Sequence, residues 1–242
     1  MNITPEIRYE LKRLVIISSL VIFALILFML RGNLIGYRVY RFMLWNLFLA
    51  LIPYVISLIM LVISSYNNKK VTTPLCESNL LANKNNKWWN LCLLFLGGFW
   101  LLFFPNAPYL FTSYAHFSEM TFWTRPISFT FQPWYDLVLY SGIIWSGILA
   151  GYVSLEIIHT IVKKHFGKLI GWVIIIIILF LSSWAIYLGR FIRLNSWDIF
   201  TNPSILLPHI LLNREQLFFV FILGLFMLLV YLFLQVKRDM LK

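Results

Sequence analysis

Six long apolar runs constrain this chain more than any other feature of its sequence. They cover roughly residues 14–30, 42–64, 88–104, 134–159, 169–188 and 217–235. Each approaches the length of about 20 residues that an α-helix needs to cross the hydrocarbon core of a bilayer. The runs are continuous rather than alternating, and a helix satisfies its own backbone hydrogen bonds in lipid. The pattern therefore predicts spanning helices and excludes barrel strands.

Composition agrees with a membrane protein. The chain is 61% hydrophobic and 12% charged, whereas soluble domains average about 25% charged residues. The formal charge of +11 does not indicate a nucleic-acid partner, because the basic residues cluster at the ends of the apolar runs. We predict an all-α fold: one polytopic transmembrane bundle over residues 1–242, with the lipid bilayer as its partner. The sequence leaves cofactors and oligomeric state open, and Cys76 and Cys92 are not expected to form a structural disulfide.

The distribution of basic residues predicts the orientation. Six spans place both termini on one side, where 13 of the Lys and Arg residues lie, and seven lie on the other side. Because basic residues are enriched in cytoplasmic loops, we expect both termini in the cytoplasm. The seven outward residues are all arginine, the side chain best suited to bidentate carboxylate or phosphate contacts.

The connections differ in character. The cytoplasmic stretch 67–87 is rich in Asn and Lys, which predicts a flexible, solvated loop. The outward stretches 105–133 and 189–216 are long and aromatic. Long connections tend to be ordered and functional, so we expect short helices within them.

The first polar constellation follows the third run. In FPNAPY (104–109), two prolines end the span and Asn106 is placed to cap a new helix. In a helix continuing from there, the polar side chains at offsets 0, 3, 7 and 10 would share a face. These residues are Tyr109, Thr112, His116 and Glu119. The stripe indicates either a face turned to water or a ligand-binding or catalytic face.

The second constellation, GRFIRLNSWD (189–198), ends the fifth run. Arg190 and Arg193 are spaced to share a helix face, and Asn195, Trp197 and Asp198 follow them. Three interpretations stay open. The arginines extend to lipid headgroups with Trp197 in the aromatic belt, pair with an outward carboxylate, or bind an anion such as a phosphate.

Carboxylates of the fourth run form the third constellation. Asp136 lies at the predicted helix N-terminus, which favours negative charge, and could also converge with the other outward acidic residues. Near the opposite end, we expect Glu156 to be balanced by Lys163, Lys164 or Arg238. Between them, Gly142, Gly147 and Gly151 form part of a small-residue seam that predicts close helix packing.

Three sequence runs carry a family resemblance: FPNAPYLFTSYAHF, PWYDLVLYSGIIWSGILAGYVSLEIIH and YLGRFIRLNSWDIFTNP. They resemble the bacterial integral membrane family catalogued as domain of unknown function 1361, with GRFIRLNSWD the most specific part. The family pattern has an acidic residue where this chain has Ser113, which argues against a mechanism that needs a carboxylate there. The resemblance implies a multi-pass protein of the bacterial cell (cytoplasmic) membrane and assigns no activity.

These patterns predict an outward-facing polar site at the membrane boundary that binds an anionic or lipid-linked ligand. The ligand-binding candidates are Asn106, Tyr109, Arg190, Arg193, Asn195 and Trp197. The catalytic candidates, should the protein be an enzyme, are His116, Glu119, Asp136 and Asp198. One alternative is a non-enzymatic envelope protein acting through partner contacts. Another is a small transporter or transport subunit, which the lack of ionisable residues at the span centres disfavours.

Overall fold

The computed structural model describes residues 5–35, 41–71, 79–116, 131–194, 198–201, 204 and 213–240. Within these residues, six helical segments are long and apolar enough to cross a membrane. No strand occurs in the same part of the chain. The prediction of an all-α, multi-span helical protein is therefore confirmed.

Five of the six spanning helices are longer than the apolar runs that predicted them, and the sixth, Lys168–Tyr187, has the same length as its run. The helices are α1 (Pro5–Ile35), α2 (Arg41–Val71), α3 (Asn79–Phe103), α4 (Asn106–Tyr109), α5 (Phe131–Phe166), α6 (Lys168–Tyr187), α7 (Asp198–Thr201) and α8 (Arg214–Met240). A 3₁₀ segment (Leu110–Ala115) continues α4, and a π-helical turn (Leu188–Ile192) continues α6. Helix propagation is favourable once a helix has nucleated, so the spans extend into their polar flanks.

The same extension corrects the prediction for the stretch 67–87. α2 continues to Val71 and α3 begins at Asn79, so a flexible loop was the wrong prediction for both parts. Residues 72–78 lie outside the described residues. Asn and Lys are compatible with extension of a helix whose apolar part is already formed.

α5 is the central helix of the bundle. Its spanning segment, Pro133–Phe166, is the longest of the six, and more than half of it is buried. It packs against α1, α2, α4 and α6. α2 is the other span with a large buried share, whereas most residues of α1 and α8 are not buried within the bundle.

Two ion pairs fasten α1 to α5, the first partly buried and the second fully buried. Arg13 pairs with Glu156, and Arg31 pairs with Asp136. The arginines are about 27 Å apart along α1 and the carboxylates about 30 Å apart along α5, at 1.5 Å per residue. These separations match the thickness of a hydrocarbon core, about 30 Å. We call the end of the bundle at Arg13 and Glu156 the terminal end, and the end at Arg31 and Asp136 the distal end.

The predicted small-residue seam lies at helix contacts, as expected. A Cβ at Gly151 would lie 2.6 Å from the Cβ of Ala107, and one at Gly147 would lie 2.1 Å from a methyl group of Leu110. At Gly142 the facing residue belongs to α1. The glycines therefore let α1 and the segment after α3 approach α5 closely.

A chain of hydrogen bonds links three spans inside the bundle, toward the terminal end. Trp100 donates its Nε1–H to Ser154 Oγ at 2.6 Å, and Ser154 Oγ donates to the carbonyl of Pro53 at 2.9 Å. All three side chains are buried. Buried polar groups are satisfied by one another here, as a membrane interior requires.

Candidate functional site

The third span does not end at its prolines. After α3, the chain continues as α4 and the 3₁₀ segment, so that the spanning segment extends to Tyr114. The predicted end at Phe104 was therefore too early. Pro105 and Pro108 occupy the N-cap and first turn of α4, where backbone N–H groups have no intrahelical acceptor, so proline costs no hydrogen bond.

Asn106 has a different role from the one predicted. Pro105, not Asn106, occupies the N-cap position of α4, and no side chain caps that helix. The Asn106 amide instead donates to the carbonyl of Phe103 at 2.9 Å. It thereby satisfies a carbonyl that the end of α3 leaves exposed.

The predicted polar stripe does not lie on one face. Leu110–Ala115 is a 3₁₀ helix, with 3.0 residues per turn instead of 3.6. Offsets of three still align, and Thr112 Oγ1 donates to the carbonyl of Tyr109 at 2.7 Å. An offset of seven, from Tyr109 to His116, no longer aligns. Glu119 lies outside the described residues.

His116 nevertheless reaches the second constellation. Arg190 Nη1 lies 2.9 Å from His116 Nε2, and both residues are partly buried. Because guanidinium can only donate, Nε2 must be the acceptor, which places the imidazole proton on Nδ1. The His116 ring also makes an edge contact with Phe42, with ring centroids 5.2 Å apart. Two motifs 74 residues apart in sequence thus meet at the distal end.

Arg190 belongs to the π-helical turn, and a strained residue follows that turn. Arg193 has φ 66° and ψ 32°, a left-handed conformation, and is the only described non-glycine residue with positive φ. The backbone N–H of Leu194 donates to the carbonyl of Leu188 at 3.3 Å and so ends the helix. Such a conformation costs an arginine about 1–2 kcal/mol relative to a right-handed one. π-turns and strained residues both concentrate at functional sites.

The partner of Arg190 distinguishes it from the other hydrogen-bonded arginines. Arg31 forms a bidentate pair with Asp136, through bonds of 2.6 and 2.9 Å, and Arg13 binds two glutamates. Those contacts neutralise charge. In the described part of the chain no carboxylate pairs with Arg190, and its neutral imidazole partner orients the guanidinium without cancelling its charge.

Asp136 has a partner that the sequence analysis did not consider. It is 1% exposed and bound to Arg31, which is 2% exposed. The neighbouring Tyr135 hydroxyl donates to the carbonyl of Leu27 on the same helix. Arg31, directly after the first apolar run, was the signal that could have indicated this pair.

The other predicted site residues have mixed outcomes. The ring of Tyr109 packs against Gly189, next to Arg190, and would lie 3.5 Å from a Cβ at that position. Asp198 begins α7, and its Oδ1 accepts from Thr201 at 3.5 Å. Asn195 and Trp197 lie outside the described residues. A catalytic role for His116, Asp136 or Asp198 stays a prediction, and no cluster of three or more potential metal ligands occurs in the described ranges.

A separate polar cluster lies at the terminal end. Arg13, which the sequence did not indicate, pairs with Glu156 there, and the side chain of Arg238 lies outside the described part. The buried His159 contacts the Tyr231 hydroxyl through Nδ1 at 2.7 Å. Cys92 is exposed with a free thiol, and Cys76 lies outside the described residues.

An apolar groove lies between the broken third span, α5, α6 and α8. Its volume is about 100 Å³. Residues from each wall include Pro108, Phe111, Trp145, Leu155, Leu179 and Leu223. The rings of Tyr152 and Tyr231 line its end nearest the terminal cluster. We refer to this space as the groove.

Six apolar helical segments, and two ion-paired arginines at the two ends of a hydrocarbon-thick interior, define a multi-pass α-helical membrane protein. The family model described as "Protein of unknown function (DUF1361)" matches residues 45–232. The chain therefore belongs to that family, as its motifs suggested. No curated protein and no solved structure matches it.

Proposed function

We propose that this protein binds an anionic, phosphate-bearing ligand at the outward face of a bacterial cytoplasmic membrane. The observation that carries the proposal is the 2.9 Å contact between Arg190 and His116. It holds a partly buried guanidinium in place through a neutral acceptor. The positive charge is thereby oriented and still available to an anion.

The surroundings of Arg190 support the proposal. Arg193 is exposed and follows the same turn, so a second guanidinium is available near the first. Arg193 also keeps a conformation that glycine would adopt without strain. An arginine at that position is consistent with a role for its side chain.

The position at the distal end also supports this function. Tyr114 donates to Ser141 Oγ at 3.2 Å, and Ser141 is five positions beyond Asp136, or about 7 Å deeper along α5. His116 follows Tyr114 toward the outside. Arg190 therefore lies near the depth at which lipid phosphates meet the hydrocarbon.

The test is binding of phosphatidic acid, whose headgroup is a phosphate monoester. The protein is reconstituted in phosphatidylcholine bilayers doped with phosphatidic acid, and native mass spectrometry counts the bound lipids. Arg190→Gln, which keeps hydrogen-bond donors but removes the charge, should weaken phosphatidic acid binding about tenfold, the effect expected for a charge-assisted hydrogen bond.

Arg214→Gln is the matched control. Arg214 is an exposed arginine at the same end of the bundle, at the start of α8, so it tests general electrostatic attraction. Equal losses for both variants would contradict a specific site. If the protein shows no preference for phosphatidic acid, the result favours the alternative function, an envelope protein that acts through partner contacts.

A further inference from the structure

We infer that the ligand of this site is an amphiphile whose hydrocarbon chain occupies the groove. The inference rests on the proposed function, since it takes the anionic headgroup to bind at Arg190. It adds the chemical class of the remainder of the ligand: a long, flexible, apolar chain such as those of membrane lipids and lipid-linked intermediates.

The depth of the groove indicates hydrocarbon as its occupant. On α5, its lining extends from Trp145 to Leu155, between the two carboxylates that bracket the membrane interior. Trp145 lies about 13 Å below Asp136, and the lining continues for about 15 Å beyond it at 1.5 Å per residue. At that depth the surrounding solvent is lipid, and apolar cavities do not retain water.

One short segment of the chain joins the wall of the groove to the Arg190 site. Pro108 and Phe111 line the groove, and Tyr109 between them packs against Gly189, next to Arg190. His116, five residues after Phe111, binds Arg190. At about 2.0 Å per residue in a 3₁₀ helix, some 10 Å separates the groove wall from the headgroup position. A chain attached to the headgroup can cover that distance only if it is long.

The groove is expected to provide selectivity rather than bulk affinity. A lipid tail in the bilayer is already surrounded by hydrocarbon, so burial in an apolar groove gains little hydrophobic free energy. What the groove adds is packing against the rings that line it, including Phe111, whose ring lies 5.1 Å from that of Phe226. Packing of this kind depends on chain length and shape.

The experiment uses hexadecyl phosphate with a photoreactive diazirine in the far third of its chain, added to the protein in phosphatidylcholine bilayers. Mass spectrometry maps the labelled residues. We expect labelling of the groove-lining parts of α5 and α8, and hexadecyl phosphate should compete about tenfold better than hexyl phosphate. Labels spread over the lipid-facing sides of α1 and α8 would overturn the inference.

Two leucines on α8 provide a matched pair of variants. Leu223 lines the groove, whereas Leu229 is 57% exposed and does not. Leu223→Phe should reduce groove labelling about fivefold or more, the effect of overpacking, and Leu229→Phe should leave it unchanged. Leu223→Ala widens the groove and should keep the labelling. It shows whether a loss of labelling in Leu223→Phe comes from filling the groove or from misfolding. Equal labelling in both phenylalanine variants would contradict occupancy of the groove.

The two proposals can fail separately. Phosphatidic acid binding that depends on Arg190 but is accompanied by no groove labelling would refute only the position of the chain. The headgroup site would be refuted if groove labelling persists in Arg190→Gln and an uncharged hexadecanol probe gives the same labelling. This substrate class would be refuted with it.

Discussion

Replacing Asp136 by asparagine should destabilise the protein severely. Arg31 would keep its buried position, 2% exposed, and lose the carboxylate that it binds through two hydrogen bonds of 2.6 and 2.9 Å. Breaking one partner of a buried ion pair costs about 3–5 kcal/mol, because the remaining charge is left uncompensated. We therefore expect Asp136→Asn to lower the free energy of unfolding by about that amount.

The assay is reversible unfolding in mixed micelles by titration with dodecyl sulfate, followed by loss of helical circular dichroism. Glu215→Gln is the control, since Glu215 is an exposed carboxylate at the same end of the bundle. The double variant Arg31→Met with Asp136→Leu should recover most of the lost stability, because apolar side chains of similar volume can replace a buried pair.

The result that would refute this reasoning is normal stability in Asp136→Asn together with loss of phosphatidic acid binding. Asp136 would then act in the ligand site itself, as the sequence alone allowed, and its contact with Arg31 would be incidental to folding.

Three further predictions follow from the seam, the strained arginine and the charge distribution. Gly151→Ala should destabilise the bundle by about 1–3 kcal/mol, because the new Cβ would lie 2.6 Å from the short side chain of Ala107, which cannot move away. Gly98→Ala is the control, since a Cβ there has nothing within 4 Å. It should be neutral or stabilising in the same unfolding titration. Arg193→Gly should gain up to about 1 kcal/mol of stability by relieving backbone strain, and it should lose phosphatidic acid binding. Arg193→Lys should also bind phosphatidic acid less tightly, because lysine lacks the planar guanidinium. Binding equal to wild type in both variants would exclude Arg193 from the site. In intact cells, a cysteine at Asn85 should resist a membrane-impermeant thiol reagent and one at Ser128 should react, whereas the reverse pattern would overturn the predicted orientation.

The class of fold could be predicted because its determinants are local. Each span is a continuous apolar run, and in lipid such a run has little alternative to a helix. The glycine seam was predictable for the same reason, since its residues lie on one helix.

The path of the chain after α3 could not be predicted. Pro105 and Pro108 are compatible both with a helix end and with a helix restart. The close approach of Ala107 to Gly151 favours the restart, and it depends on a residue 44 positions away. The change to 3₁₀ geometry also has no clear sequence signal, so the predicted face from Tyr109 to His116 was wrong.

The partners of the charged residues could not be predicted from the sequence either. Arg13–Glu156 and Arg31–Asp136 join positions more than 100 residues apart, and the sequence offers several partners for each. Because an unpaired charge in the membrane interior is energetically unfavourable, a buried charge is expected to be paired. That expectation does not specify the partner. The meeting of His116 and Arg190 was predictable because both motifs fall at the same end of their spans.

The most direct test of the proposed ligand site is an experimental structure with hexadecyl phosphate bound in a lipid bilayer. We expect phosphate oxygens about 2.7–2.9 Å from the Arg190 guanidinium, the range of charge-assisted hydrogen bonds, with the chain descending past Phe111 into the groove. A phosphate bound instead among the lysines of the terminal end, with Arg190 contacting His116 alone at saturating ligand, would contradict the proposed site.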